Sequence, residues 1–168
     1  MKKLILIICL LVGANAIQAQ VTSEEAIKKL AFIEGQWQGK SNVTTGPGQN
    51  MVLDQHEHVE LRLGGQVMIV EGKGYQGEEL EFNAFAVITF DEARQEYEMN
   101  SWLSTGQKTE AYIKVHDQEK WEWGFEIPQG KIRYLISLNE KGQWIETGEF
   151  SQDGNTWYPS FNMLLDKK

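Results

Sequence analysis

The chain has 168 residues, 24 of them acidic and 16 basic, for a formal net charge of −8. That excess of acid weighs against nucleic acid or an anionic membrane as partner, because both reward basic patches; solubility alone also explains it. The single cysteine, Cys9, falls within an N-terminal apolar run, so the chain beyond it has neither a disulfide nor a thiol nucleophile.

Lys2 and Lys3 precede an apolar run from Leu4 to Val12, and small residues follow at Gly13, Ala14, Ala16 and Ala19. Basic end, apolar middle and small-residue cleavage site are the order of a secretory signal peptide over residues 1–19. The run is too short to stay as a membrane span. Cys9 sits mid-run instead of at the cleavage point, which argues against a lipid anchor. Cleavage is expected after Ala19, with Ala16 as the alternative. The expected product is exported, periplasmic or secreted, and spans residues 20–168 with a formal charge of about −10. That length suits one domain with a sizeable core, and no internal repeat or proline-rich linker divides it. A monomer or weak homodimer without stable membrane insertion is expected.

Thr22 and Glu25 stand at capping-box spacing and predict a short helix, with Ala26, Ile27, Leu30 and Ala31 on its buried face. This helix is expected to lid one end of a β-barrel. Strand-like runs come after it near 36–44, 50–62, 66–74, 80–90, 95–104, 108–116, 120–128, 131–139, 143–151 and 156–166. Short breaks rich in glycine or aspartate separate them, such as Gly77, Gly106, Gln129-Gly130 and Lys141-Gly142. Hairpins in sequence order predict an up-and-down meander, and closing it into a barrel would remove its edges. A two-sheet sandwich is the alternative.

Alternation assigns the faces. Trp121, Trp123, Phe125 and Ile127 share one side; so do Ile132, Tyr134, Ile136 and Leu138, and so do Leu80, Phe82, Ala84, Ala86, Ile88 and Phe90. Trp157, Phe161, Met163 and Leu165 form the last inward row, while residues 66–74 and 108–116 give no clear face. Gly64-Gly65 reads as a hairpin turn and Gly72-x-Gly74 as a strand end.

Before these runs stands Phe32-Ile33-Glu34-Gly35-Gln36-Trp37-Gln38-Gly39-Lys40, where Gly35 lets the chain turn out of the helix and Trp37 can plug a barrel end. Gly35-x-Trp37 resembles the first-strand signature of calycin barrels, the lipocalins and fatty-acid-binding proteins. With Gly39, Gly64-Gly65 and the run from Ser151 to Trp157, the chain is more similar to small exported bacterial barrels of unknown function related to nitrobindin. The resemblance implies an all-β fold: an antiparallel, calycin-like up-and-down barrel of about ten strands with one short N-terminal helix. It also invites haem, which such barrels ligate through a histidine near the C-terminus. Here the last histidine is His116, and the final strand carries Tyr158, Asn162 and Met163. That ligand position does not carry over, Met163 reads as core, and no cofactor is expected.

His56-Glu57-His58 suggests a metal pair on one side of a strand, but the later residues of a cupin-type site are missing. Met51, Leu53, Val59, Leu61 and Leu63 mark the odd positions as inward, which turns His56 and His58 outward and leaves no metal site. The same register puts Gln55 and Glu57 inside, where an unpaired carboxylate is costly. Glu146 shares a face with Trp144, Gly148 and Phe150 and resembles them. Such acids can be structural, pairing with Arg133, Tyr134 or water, or can orient a ligand among aromatics. No nucleophile elbow or phosphate-binding loop occurs, so no catalytic residue is assigned. Trp37, Gln55, Glu57, Phe82, Trp121, Trp123, Tyr134 and Glu146 are therefore the candidate ligand-binding residues. The function expected is binding of a small apolar or amphipathic molecule. An enzyme using an interior glutamate as general base and a ligand-free structural or interaction domain are the alternatives.

Overall fold

The Glu25 backbone N–H donates to the Thr22 hydroxyl, and the Glu25 carboxylate accepts from the Thr22 backbone N–H, so a capping box starts α1 (Ser23–Lys28). In the computed structural model, residues 20–46 and 48–168 are described; the signal-peptide reading of residues 1–19 lies outside them. Ala26, Ile27 and Leu30 are fully buried. The helix is pinned at both ends: the Ser23 backbone N–H donates to the Glu92 carboxylate at 2.6 Å, and the Tyr97 hydroxyl donates to the Ala26 carbonyl at 2.8 Å. A 3₁₀ turn (Ala31–Ile33) then leads to Gly35, whose φ of +122° permits the sharp exit.

Ten strands follow: β1 (Gly35–Gly46), β2 (Gln49–Arg62), β3 (Val67–Gln76), β4 (Glu79–Asp91), β5 (Glu96–Leu103), β6 (Lys108–Asp117), β7 (Lys120–Ile127), β8 (Gly130–Leu138), β9 (Trp144–Ser151) and β10 (Tyr158–Lys167). Each pairs antiparallel with the next. β10 returns to β1 from Trp37 opposite Lys167 to Val43 opposite Phe161. The result is a closed barrel in sequence order, so the sandwich alternative falls.

One end of the barrel is solid. Ile27, Leu30 and Ile33 from the helical segment meet Trp37, Val59, Met68, Ile88, Trp121, Trp144 and Leu165, all at most 2% exposed. Burying each of these side chains contributes about 1.5–3 kcal/mol. Trp37 does plug this end: its indole N–H donates to the Ile33 carbonyl at 2.8 Å, and its ring meets Trp144 edge-on with centroids 5.8 Å apart.

Several expectations change. Gly72 and Gly74 are not at a strand end but lie within β3, opposite Glu57 and Gln55. Their missing side chains leave room for the inner residues of β2: a Cβ on Gly72 would sit 2.7 Å from a Glu57 carboxylate oxygen. Leu80 is not inside. The pairing of β3 with β4 shifts between Gly74 and Tyr75, so Leu80 falls opposite Tyr75 on the outer face and is 47% exposed. Trp157 precedes β10 and lies under the outward Arg133 guanidinium, 3.9 Å from the ring centroid. Leu63 is exposed because β2 ends at Arg62; it belongs, with Gly64-Gly65, to a 3₁₀ turn. The unassigned strands also gain faces. Met68, Gly72 and Gly74 of β3 are buried, and Ala111, Ile113 and Val115 of β6 pack towards the core.

Candidate ligand-binding interior

Away from α1 the inner face changes character. The wall made by β3 to β6 presents small residues there: Gly72, Gly74, Ala84, Ala86, Ser101, Thr109 and Ala111. The wall made by β7 to β10 presents Trp123, Phe125, Tyr134, Phe150 and Phe161. Trp123 stacks on Tyr134 with centroids 4.2 Å apart and planes at 13°, and Tyr134 meets Phe161 edge-on at 5.6 Å. Gly148 makes this possible, since a Cβ there would lie 2.7 Å from the Tyr134 ring. Ala84, Ser101, Ala111, Trp123, Tyr134 and Phe161 all keep accessible surface although they are on inward positions. This half of the barrel is therefore less closely packed than the α1 end, where the core side chains are at most 2% exposed.

Two acids sit between the solid end and the open half. Glu57 is 9% exposed and Glu146 is 7% exposed. The Ser41 hydroxyl donates to Gln55 Oε1 at 3.1 Å, and Gln55 Nε2 donates to Glu57 Oε1 at 2.6 Å. This chain of bonds fixes the Gln55 amide and hands Glu57 one donor. Burial nevertheless pushes the Glu57 carboxyl well above the usual range; the Gln55 bond opposes this, and the charges of Glu146 and Glu71 reinforce it. Glu146 accepts from Trp123 Nε1 at 3.1 Å. Burial lifts its pKa to about 7, against the pull of the Trp123 and Trp144 indoles. The Trp144 N–H lies near this carboxylate but closes no hydrogen bond of ordinary geometry, and Trp121 Nε1 likewise has no partner among the described residues. The Tyr134 hydroxyl is pushed up to about 12 by burial and by Glu146.

The structure thus brings together five of the eight candidate residues: Gln55, Glu57, Trp123, Tyr134 and Glu146. Trp37 and Trp121 belong to the solid end, and Phe82 stands at the rim of the open end, 37% exposed. Ser41, Trp144, Phe161 and the small-residue wall were not among the candidates. The odd-numbered alternation that places Trp37 inside also places Ser41 there, whereas nothing in the sequence aligns Ala84 or Ser101 with the acids across the barrel.

Arg133 does not pair with either acid. It faces outward, bonded to Glu149 at 2.7 Å. His56 and His58 also face outward, His56 near Gln38 at 3.2 Å and His58 near Glu60 at 3.1 Å. Replacing both with alanine is expected to change the unfolding free energy by less than about 0.5 kcal/mol, as for exposed side chains generally. A loss above about 2 kcal/mol in a denaturant titration would contradict that placement. Among the described residues no group of three His, Cys, Asp or Glu is arranged to hold a metal ion.

The haem that the sequence resemblance invites fits poorly. His56, His58 and His116 all face outward, and Met163 is packed at 3% exposure between Ser41 and Glu146. Two open hollows of about 490 and 600 Å³ flank α1 on the outside of the solid end, one lined by Thr22, Glu25 and Lys29, the other by Lys28, Phe32 and His116. Neither reaches Glu57 or Glu146.

No protein-family model matches the chain, and no curated protein sequence does. Among solved structures it is similar to Rv2717c from M. tuberculosis, with a TM-score of 0.60 at 9% identity, over 85% of this chain and 97% of that one. At such low identity the likeness shows a shared barrel fold.

Proposed function

We propose that this calycin-like barrel binds a small, largely apolar or amphipathic molecule non-covalently in its interior. The observation that carries this reading is the accessible aromatic wall of Trp123, Tyr134 and Phe161 on inward positions, facing a wall of glycine, alanine and serine, with two buried acids at its base. Apolar surround with a few fixed polar groups is the usual make-up of a small-molecule site. The outer face supports a protein working in water, since it carries ion pairs such as Lys40–Asp54, Lys73–Glu71 and Arg133–Glu149. Export through the N-terminal segment and action as a monomer or weak homodimer are part of the same proposal.

The test uses N-phenyl-1-naphthylamine, an uncharged aryl dye that brightens in apolar surroundings. Saturable binding is expected, with quenching of tryptophan fluorescence. Ala84→Phe, which fills the small-residue wall from the middle of β4, is expected to weaken binding by about tenfold or more, the equivalent of about 1.4 kcal/mol. Ser101→Phe should act in the same way from β5. Binding unaffected by both, in variants that remain folded, would place the dye outside the barrel.

A second reading has one observation in its favour. Glu146 titrates near neutrality, where a general base is most effective. In that case Glu146→Gln would leave binding intact and abolish turnover.

A further inference from the structure

We propose that the interior selects an amphipathic organic cation, an amine on an aryl or alkyl body, with its ammonium held between Glu57 and Glu146 against the Trp123–Tyr134 stack. This rests on the interior-binding reading and names its ligand class.

Charge balance inside the barrel is the first support. Glu57 and Glu146 lie in the same interior, close enough for the charge of one to act on the other. Among the described residues no Lys or Arg occupies an inward position at their level. Lys167 is the sole basic residue on an inward position of a strand among the described residues; it lies at the rim of the solid end, its Nζ 5.3 Å from the Trp37 ring centroid. Arg133, Lys40 and Lys73 face outward and are paired there with Glu149, Asp54 and Glu71. The two acids are therefore buried without a counter-charge, and a positive ligand supplies what the protein does not.

Acceptor geometry is the second. Glu57 Oε1 is taken by Gln55 and Glu146 Oε1 by Trp123. Among the described residues neither Oε2 has a hydrogen-bond partner, and an ammonium brings three donors. The Trp144 N–H, on a ring 1% exposed and without a partner, lies beside Glu146 and is a second indole donor for that carboxylate once it is ionised. The Trp123–Tyr134 stack, Phe161 and the alanine wall give the apolar body of the guest surface to lie on. A fatty acid would bring a third carboxylate against these two. A neutral guest would leave them unpaired.

The titratable groups facing this position are Glu57 from β2, Glu146 from β9 and Tyr134 from β8, with Glu71 acting from the outer face of β3. Tyr134 stays neutral across the range of interest. An ammonium favours both carboxylates ionised, so binding releases protons at neutral pH and tightens as pH rises, as long as the amine remains charged.

Isothermal titration calorimetry at about pH 8 with tryptamine, tryptophol and indole-3-propionate is the test, three guests of one shape and different charge. Tryptamine is expected to bind tighter than tryptophol by about tenfold or more, and indole-3-propionate weakest. The same order is expected for octylamine, octanol and octanoate. Runs at about pH 7 in buffers of different ionisation enthalpy should show proton release for the amines alone. The double variant Glu57→Gln, Glu146→Gln should lose the amine preference yet hold the alcohols, which also reports that it is folded. Equal or better binding of the alcohols in both series overturns the cation inference. If N-phenyl-1-naphthylamine still binds in that case, the interior-binding reading stands alone; if no guest and no dye bind, both fall.

Discussion

Raising the pH from about 5 to about 8 is expected to lower the unfolding free energy by roughly 2–3 kcal/mol through Glu146 alone. The sign follows from which state holds the proton. In the unfolded chain this carboxyl titrates near 4.5, and in the barrel near 7. Between those values the folded state binds more protons, so stability is complete below about 4.5 and is lost as pH rises through about 7. Glu57 is shifted in the same direction and steepens the fall. Asp91 and Asp153, held low by backbone N–H donors, act oppositely in the acid range, but Asp153 is exposed and Asp91 partly so, and both are screened by solvent. Urea titrations across this range would measure the effect. Glu146→Gln should flatten much of the slope and exceed the parent in stability at about pH 8, because the neutral amide removes a buried charge. A parent protein equally stable at both ends of the range would show that Glu146 is solvated and that the barrel interior is not a low-dielectric site.

Most of the fold, but little of the interior, was legible in the sequence. Strict alternation in β2, β7 and β8 gave the inward rows directly, and it was enough to bury Glu57 and turn His56 and His58 outward. The capping box at Thr22 and the Gly35-x-Trp37 entry were legible because each is a local device whose partners lie within four residues. Leu80 failed because a register shift moves one residue to the other face without any sign in the hydrophobic pattern. Gly72-x-Gly74 failed for a different reason. A glycine in a strand marks either an end or a close approach, and the group approaching here, the Glu57 carboxylate, belongs to another strand. The site itself is a product of closure. Trp123 and Glu146 are 23 residues apart, and Ser41 and Gln55 are 14 apart, so each contact depends on register rather than on any local motif. The indoles of Trp121 and Trp144 show the limit of reasoning by residue type, since a buried indole N–H usually finds a hydrogen-bond partner and, among the described residues, neither of these does.

Closure also sets the largest single-residue effect expected in this protein, at Gly39. It lies in β1 opposite Gln55 of β2 and Leu165 of β10, on the strand that joins the two ends of the meander. A Cβ built there would land on the backbone carbonyl oxygen of Leu164, with the Leu165 Cα 3.0 Å away. Both are main-chain atoms of the closing strand, so the clash cannot be relieved by a rotamer change; β1 and β10 must separate. Separation breaks the ladder from Trp37–Lys167 to Val43–Phe161 and exposes two strand edges. Gly39→Ala is therefore expected to cost on the order of 3–5 kcal/mol, the range reserved for strain and core disruption. Gly72→Ala is the control, for the atoms nearest its Cβ would be those of the movable Glu57 carboxylate, at 2.7 Å. A cost of about 1–2 kcal/mol is expected there, chiefly from displacing that group and its bond to Gln55. Chemical denaturation of both variants gives the comparison, and amide exchange in β1 and β10 should rise in Gly39→Ala but not in Gly72→Ala. If Gly39→Ala were the milder of the two, the close approach of β1 to β10 would not be what holds the ring shut.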